Sequence, residues 1–210
     1  MSYIENIYVC LAAPLLIAAI CMRGKGMRMM MFLLGGMTMC LLSSYISTFI
    51  AAAVGVDLLS ASLEIAPVTE EIMKFLPVLF YLLVFEPGKP EIADGVLMTA
   101  VGFATFENAC YLTKSGADHI IHLLVRGFGT GAMHVVCGFL IAAGLIILWD
   151  RIWLRAAGTV GLLSFSMTYH GVYNILVSQS GTPAMAGYII PVLTVIITII
   201  FGRDLYPKEI

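Results

Sequence analysis

Apolar residues gather into seven long blocks along the chain, at 4–22, 29–56, 66–85, 92–113, 127–149, 156–178 and 184–201. Each is long enough to cross a bilayer as a helix, since about 20 residues at 1.5 Å rise span the ~30 Å hydrocarbon core. Within hydrocarbon every backbone N–H and C=O must bond inside the protein, which a helix achieves and an isolated strand does not. The pattern therefore predicts an all-α, polytopic membrane protein of about seven transmembrane helices. Residues 1–210 form a single integral membrane domain, with no internal repeat and no soluble module. Between the blocks lie the expected breakers: Arg23-Gly24-Lys25-Gly26, Glu86-Pro87-Gly88-Lys89-Pro90, Lys114-Ser115-Gly116 and Ser180-Gly181-Thr182-Pro183. Residues 119–126 read as a short interfacial helix before the fifth span, with His119, His122 and Arg126 at the interface. Asp94-Gly95 reads as a cap where the fourth helix begins.

Composition supports the lipid-facing reading. Of 210 residues, 60% are hydrophobic and 11% charged, against roughly 25% charged in a soluble domain. The net charge of −2 does not bear on nucleic acid, and no basic patch is large enough to suggest such a partner, so none is expected. The five cysteines (Cys10, Cys21, Cys40, Cys110 and Cys137) sit in or beside apolar runs without CxxC spacing. They read as small buried hydrophobes, not a disulfide framework. The methionine-rich stretch 27–31 reads as lipid-facing or core. No positive n-region precedes the first apolar run, so that run is expected to be a retained helix and not a cleaved signal.

Basic residues give an orientation. Arg23, Lys25, Arg28, Lys89, Arg151, Arg155, Arg203 and Lys208 fall in alternate loops and the C-terminal tail, whereas only Lys114 and Arg126 fall on the other side. By the positive-inside rule the N-terminus is outside and the C-terminus cytoplasmic.

Against this apolar background, four consecutive spans carry polar groups that are costly in lipid and normally face a protein interior or a watery cavity. The third holds Glu70, Glu71 and Lys74, the fourth Glu107 and Asn108, the fifth His134, and the sixth His170 and Asn174. Given the orientation, Glu70 and Glu71 lie about 5 residues, or ~8 Å, below the outer surface. Glu107, His134 and His170 come to a similar outer-leaflet depth. Lys74 is three residues from Glu71 and four from Glu70, so it pairs with either carboxylate. His170 and Asn174 share one helical face, and Glu107 and Tyr111 share another. Gly127 and Gly131 form a small-xxx-small step ahead of His134.

Two adjacent carboxylates in a low dielectric do not both ionise cheaply, so one is expected to hold a proton while the other pairs with Lys74. Such a pair beside a histidine is a general base for water, with a second histidine and an asparagine as donors to a developing oxyanion. Glu71, His134 and His170 also make up a catalytic zinc set, although no HExxH places two histidines on one face. The residues leave zinc and no cofactor both open. A proton- or ion-coupled transporter would use similar groups, but here the polar residues stop in the outer half and no interrupted repeat is visible. A haem protein with His134 and His170 as axial ligands would leave the carboxylates without a part.

Glu70-Glu71-Ile72-Met73-Lys74 resembles the EExxK motif of the PrsW family of intramembrane proteases. Asp94-Gly95, followed by Gly102-Phe103, Phe106-Glu107-Asn108 and Tyr111, is similar to that family's second segment. His134 and the HxxxN of His170 and Asn174 match its third and fourth. The resemblance runs from about residue 64 to 176, inside a motif-bearing core at 64–178. It implies an intramembrane peptidase of glutamate or metal type, related to the CAAX prenyl proteases and to bacteriocin-processing or immunity proteins, some of them non-proteolytic. It assigns water activation to Glu70 or Glu71 with His134, and oxyanion binding to His170 and Asn174. Lys74, Glu107, Asn108 and Tyr111 take supporting places. The resemblance further implies a bacterial cytoplasmic-membrane enzyme whose partner is a single-pass anti-sigma factor. Its first, extracytoplasmic cut of that factor activates a sigma factor in a stress response.

Overall fold

The computed structural model describes residues 3–115, 120–148 and 151–201. His119, Arg203 and Lys208 lie outside them. The described residues fold into helices with no strand among them. They are α1 (Ile4–Cys21), α2 (Gly24–Val54), a single turn α3 (Leu58–Ser60), a π-helical turn (Ala61–Ile65), α4 (Ala66–Phe85), α5 (Lys89–Ser115), α6 (Ile120–Leu148), α7 (Ile152–Val177) and α8 (Thr182–Phe201).

Each apolar block thus becomes one long helix. Four of these, α1, α2, α6 and α8, are long and apolar enough to cross a membrane. The others are diluted by the residues that matter most. Every 18-residue stretch of α4 contains Glu70, Glu71 and Lys74, and α5 carries Glu91, Asp94, Glu107 and Asn108. Outward-facing side chains are apolar: Ile17, Ile20, Phe49, Phe80, Leu83 and Phe128 are all more than 60% exposed, as suits a surface in contact with lipid.

Local chemistry sets the helix ends. Gly55 adopts φ 79° and donates its N–H to the Ala51 carbonyl, closing α2. Asp57 then accepts the Ser60 N–H at 2.7 Å to start the next turn, and this bond holds its carboxyl below the usual range. α4 stops at Glu86, whose φ of 46° precedes Pro87. α5 begins at Lys89, with Glu91 accepting the Gly88 N–H at 3.0 Å. Asp94-Gly95 is therefore not a cap but lies inside α5, one turn further along. The polar first turn of α5 hides its start from a hydropathy reading. Likewise residues 120–126 are not a separate interfacial helix but the first turns of α6, which runs unbroken from Ile120 through Arg126.

α2 and α5 lie side by side with backbones almost touching. A Cβ added at Gly102 would sit 2.0 Å from the Leu33 carbonyl oxygen, and one at Gly36 would sit 2.1 Å from that of Thr99. Only glycine permits this approach. The same pair of helices is tied at its start by Lys25–Asp94 at 2.8 Å and Arg28–Glu91 at 2.9 Å. Asp94 and Gly102 of the second motif are thus packing residues that fix α5 against α2. Phe32, Phe75, Val78, Val96, Ile141 and Leu145 fill the centre between α2, α4, α5 and α6. Above them sits the polar cluster.

Candidate active site

Four helices each present one buried stripe at helical spacing. On α4 it is Glu71, Lys74, Phe75 and Val78; on α5 Phe103, with the half-buried Glu107 one turn on; on α6 Thr130, His134 and Cys137; and on α7 Ser166, His170 and Tyr173. Where the stripes meet, the ionisable groups form one continuous network.

Its centre is Glu71, which has no exposed surface. Its Oε1 accepts from Lys74 Nζ at 2.6 Å and from His170 Nδ1–H at 2.8 Å. Lys74 Nζ also donates to His134 Nδ1 at 2.9 Å and lies 5.2 Å from the Phe103 ring centre. An ammonium on Nδ1 makes that nitrogen the acceptor, so the His134 proton resides on Nε2. Nε2–H donates to Glu107 Oε2 at 2.6 Å. The other Glu107 oxygen faces Arg126 Nη2 at 3.4 Å. The two imidazoles stand edge to face with centres 5.1 Å apart.

Glu70 differs from its neighbour. Its Oε2 is buried, has no hydrogen-bond partner, and lies 3.8 Å from His170 Nε2. With Nδ1–H given to Glu71, the neutral form of this imidazole has its lone pair on Nε2. An orphaned carboxylate oxygen and an imidazole nitrogen thus face each other, an arrangement that suits a bridging water or ligand. Glu70 and Glu107 also line a cleft of about 220 Å³, whose walls include Ser43, Phe106, Tyr111, Lys114 and Arg126.

The residues expected from sequence are thus brought together with distinct environments. Glu70, Glu71, Lys74, Glu107, His134 and His170 form the network. Asn108 is beside it, accepting from Arg126 Nη1 at 2.6 Å and donating to the Gly127 carbonyl at 3.4 Å. Tyr111 underlies Arg126 at 3.6 Å and meets His122 at 3.1 Å. Asn174 is not joined to the network. Its amide donates to the Ser62 carbonyl at 2.9 Å, within the π-helical turn. Arg126, which reads from sequence as an interfacial residue, instead folds inward with its side chain 15% exposed. The signal for it is present in the chain, since Arg126, Thr130 and His134 recur every four residues on one face of α6.

The donor set suits a divalent cation. Glu70, His134 and His170 each offer a ligand atom within 4.8 Å of the others. Glu70 stands here where the sequence reading had Glu71, whose Oε1 is occupied by Lys74 and His170. A carboxylate on His170 Nδ1–H, leaving Nε2 toward the site, is the usual way a metal-binding histidine is oriented. His134 is held at both nitrogens and would join only in exchange for its bond to Glu107.

A family model described as PrsW family intramembrane metalloprotease matches residues 23–201. No curated protein and no solved structure matches the chain. The chain belongs to the PrsW family and is a membrane protease.

Proposed function

We propose that this PrsW-family protease hydrolyses a peptide bond of a single-pass membrane protein at the cleft above Glu70, with Glu70 and His170 holding the attacking water. The observation that carries this reading is the orphaned Glu70 Oε2 facing the lone pair of His170 Nε2 across 3.8 Å. Both atoms accept hydrogen bonds, and a water between them would donate to each, leaving an oxygen lone pair for the substrate carbonyl. Glu70 would take a proton from this water as the new C–O bond forms and pass it to the amine as the C–N bond breaks. His170 keeps its orientation because Glu71 accepts its Nδ1–H, and Glu71 keeps its charge because Lys74 lies 2.6 Å away. His134, fixed between Lys74 and Glu107, is the third group around the reacting atoms. In a metal-dependent form Glu70, His134 and His170 would instead hold zinc, which would supply Lewis-acid polarisation and a more acidic water. Asn174 would serve as an oxyanion donor once a substrate seated beside the π-helical turn draws its amide from Ser62.

The seven long helices are all spans in this reading, with the N-terminus outside and the C-terminus cytoplasmic. Two features support it. The lysine and arginine asymmetry across the loops has one sense throughout, and Lys25 and Arg28 at the start of α2 pair with Asp94 and Glu91 at the start of α5, as two loops on one side require. The cluster then lies in the outer leaflet of a bacterial cytoplasmic membrane. A cut there suits a first, extracytoplasmic cleavage of an anti-sigma factor.

The test is co-reconstitution with a candidate single-pass anti-sigma factor, using wild type and the Glu70→Gln/Glu71→Gln variant, each with and without a chelator. Cleavage by wild type alone is expected. Equal cleavage by the double variant would overturn the reading.

A further inference from the structure

The hydrolytic network ends on a residue outside every motif. Arg126 lies two helical turns before His134 on the same face of α6, and its guanidinium turns in toward the end of α5. Nη1 donates to Asn108 Oδ1 at 2.6 Å, Nη2 faces Glu107 Oε1 at 3.4 Å, and the plane lies 3.6 Å from the Tyr111 ring centre. Tyr111 is in turn held by His122 at 3.1 Å, and Asn108 by the Gly127 carbonyl at 3.4 Å. This arrangement of fork and stack is specific to arginine, since a lysine ammonium provides neither the planar fork nor the ring contact.

Glu107 needs such an anchor. Its side chain is 29% exposed and borders the open cleft, whereas His134, which it contacts, is wholly buried. One oxygen is aimed at His134 Nε2–H at 2.6 Å, and the other faces the Arg126 guanidinium at 3.4 Å. Left alone, a carboxylate at the edge of a cleft would rotate toward water and leave a buried imidazole N–H unpaired, which is costly.

We propose that Arg126 is a positioning residue: it clamps Glu107 and Asn108 so that Glu107 fixes the orientation and the Nε2 proton of His134. The contacts run from Arg126 to Glu107 and from Glu107 to His134, whereas His170 takes its orientation separately from Glu71. The proposal deepens the hydrolytic reading of this site, but its test needs no substrate and so fails or succeeds separately from cleavage.

The test is ¹⁵N and ¹H NMR of histidine-labelled protein in nanodiscs. The chain has 4 histidines, so each ring is separable, and His134→Gln assigns its own signals. The short charge-assisted bond to Glu107 should give His134 a strongly deshielded Nε2–H proton. Arg126→Gln should shift that proton upfield or lose it to exchange, reproducing the His134 spectrum of Glu107→Gln, while the His170 signals stay at their wild-type positions. Should Arg126→Gln not fold, Asn108→Ala removes the Nη1 anchor alone and should move the same proton in the same direction by a smaller amount. An unmoved His134 proton in the folded variants would overturn the proposal. So would a common shift of the His134 and His170 signals, the mark of general loosening.

Discussion

Replacing Lys74 by methionine keeps the volume of the side chain and removes its charge. Lys74 is 5% exposed and Glu71 not at all, with Nζ 2.6 Å from Glu71 Oε1 and 2.9 Å from His134 Nδ1. In Lys74→Met the Glu71 carboxylate remains buried, its Oε2 without a partner and its Oε1 held by His170 alone. Removing one member of a buried ion pair costs roughly 3–5 kcal/mol, because the other charge is left uncompensated. That corresponds to a shift of about two to nearly four powers of ten in the unfolding equilibrium. Whole domains have stabilities of only about 5–15 kcal/mol, so the effect should dominate an unfolding curve. Titration of the purified protein from mild detergent into SDS, followed by helical circular dichroism, measures it. The companion variant Glu71→Gln/Lys74→Met removes both charges and should recover most of the loss, since a buried pair replaced together is often neutral. A single variant within about 1 kcal/mol of wild type would refute the reasoning. So would a double variant no more stable than the single one.

Two glycines on neighbouring helices, Gly102 of α5 and Gly127 of α6, should respond oppositely to alanine. At Gly102 the new Cβ meets the Leu33 carbonyl at 2.0 Å, so α2 and α5 must separate at a cost of about 1–3 kcal/mol or more, read in the same SDS titration. At Gly127 nothing lies within 4 Å, and the better helix propensity of alanine should leave stability unchanged or raise it by up to ~1 kcal/mol. Equilibrium dialysis against zinc should show binding by wild type that is weakened at least tenfold in Glu70→Gln and in His170→Gln. Wild-type affinity in both variants would exclude that donor set.

The hydropathy pattern located the long helices because lipid imposes one requirement on every span, and α4 begins and ends at 66 and 85 as that pattern predicts. It misplaced the start of α5, because Lys89, Pro90 and Glu91 form a first turn that is polar and still helical. The π-helical turn at Ala61–Ile65 left no trace in the pattern, since one wider turn does not disturb apolar periodicity over so short a run. The residues of the buried polar cluster were legible for a related reason. An ionisable group in a span has no bland explanation as often as one on a soluble surface, so Glu70, Glu71, Lys74, Glu107, His134 and His170 stood out. Which of the two glutamates is free could not be read, because that depends on rotation of α4 about its axis by a third of a turn. Arg126 lay in a stretch that read as a short interfacial helix, and the inward turn of its side chain joins it to the site. Asn174 shares a helical face with His170, yet its bond to Ser62 comes from a backbone segment over a hundred residues away.

The claim that Glu70 directs water at a peptide bond is tested most directly by isotope incorporation. Wild-type protein and Glu70→Gln are co-reconstituted with a single-pass anti-sigma factor in ¹⁸O-labelled water, and the new C-terminal carboxylate of the product is read by mass spectrometry. The account expects one ¹⁸O atom in that carboxylate from wild type within a single turnover, and no product from Glu70→Gln. Labelled product from Glu70→Gln at the wild-type rate would contradict it.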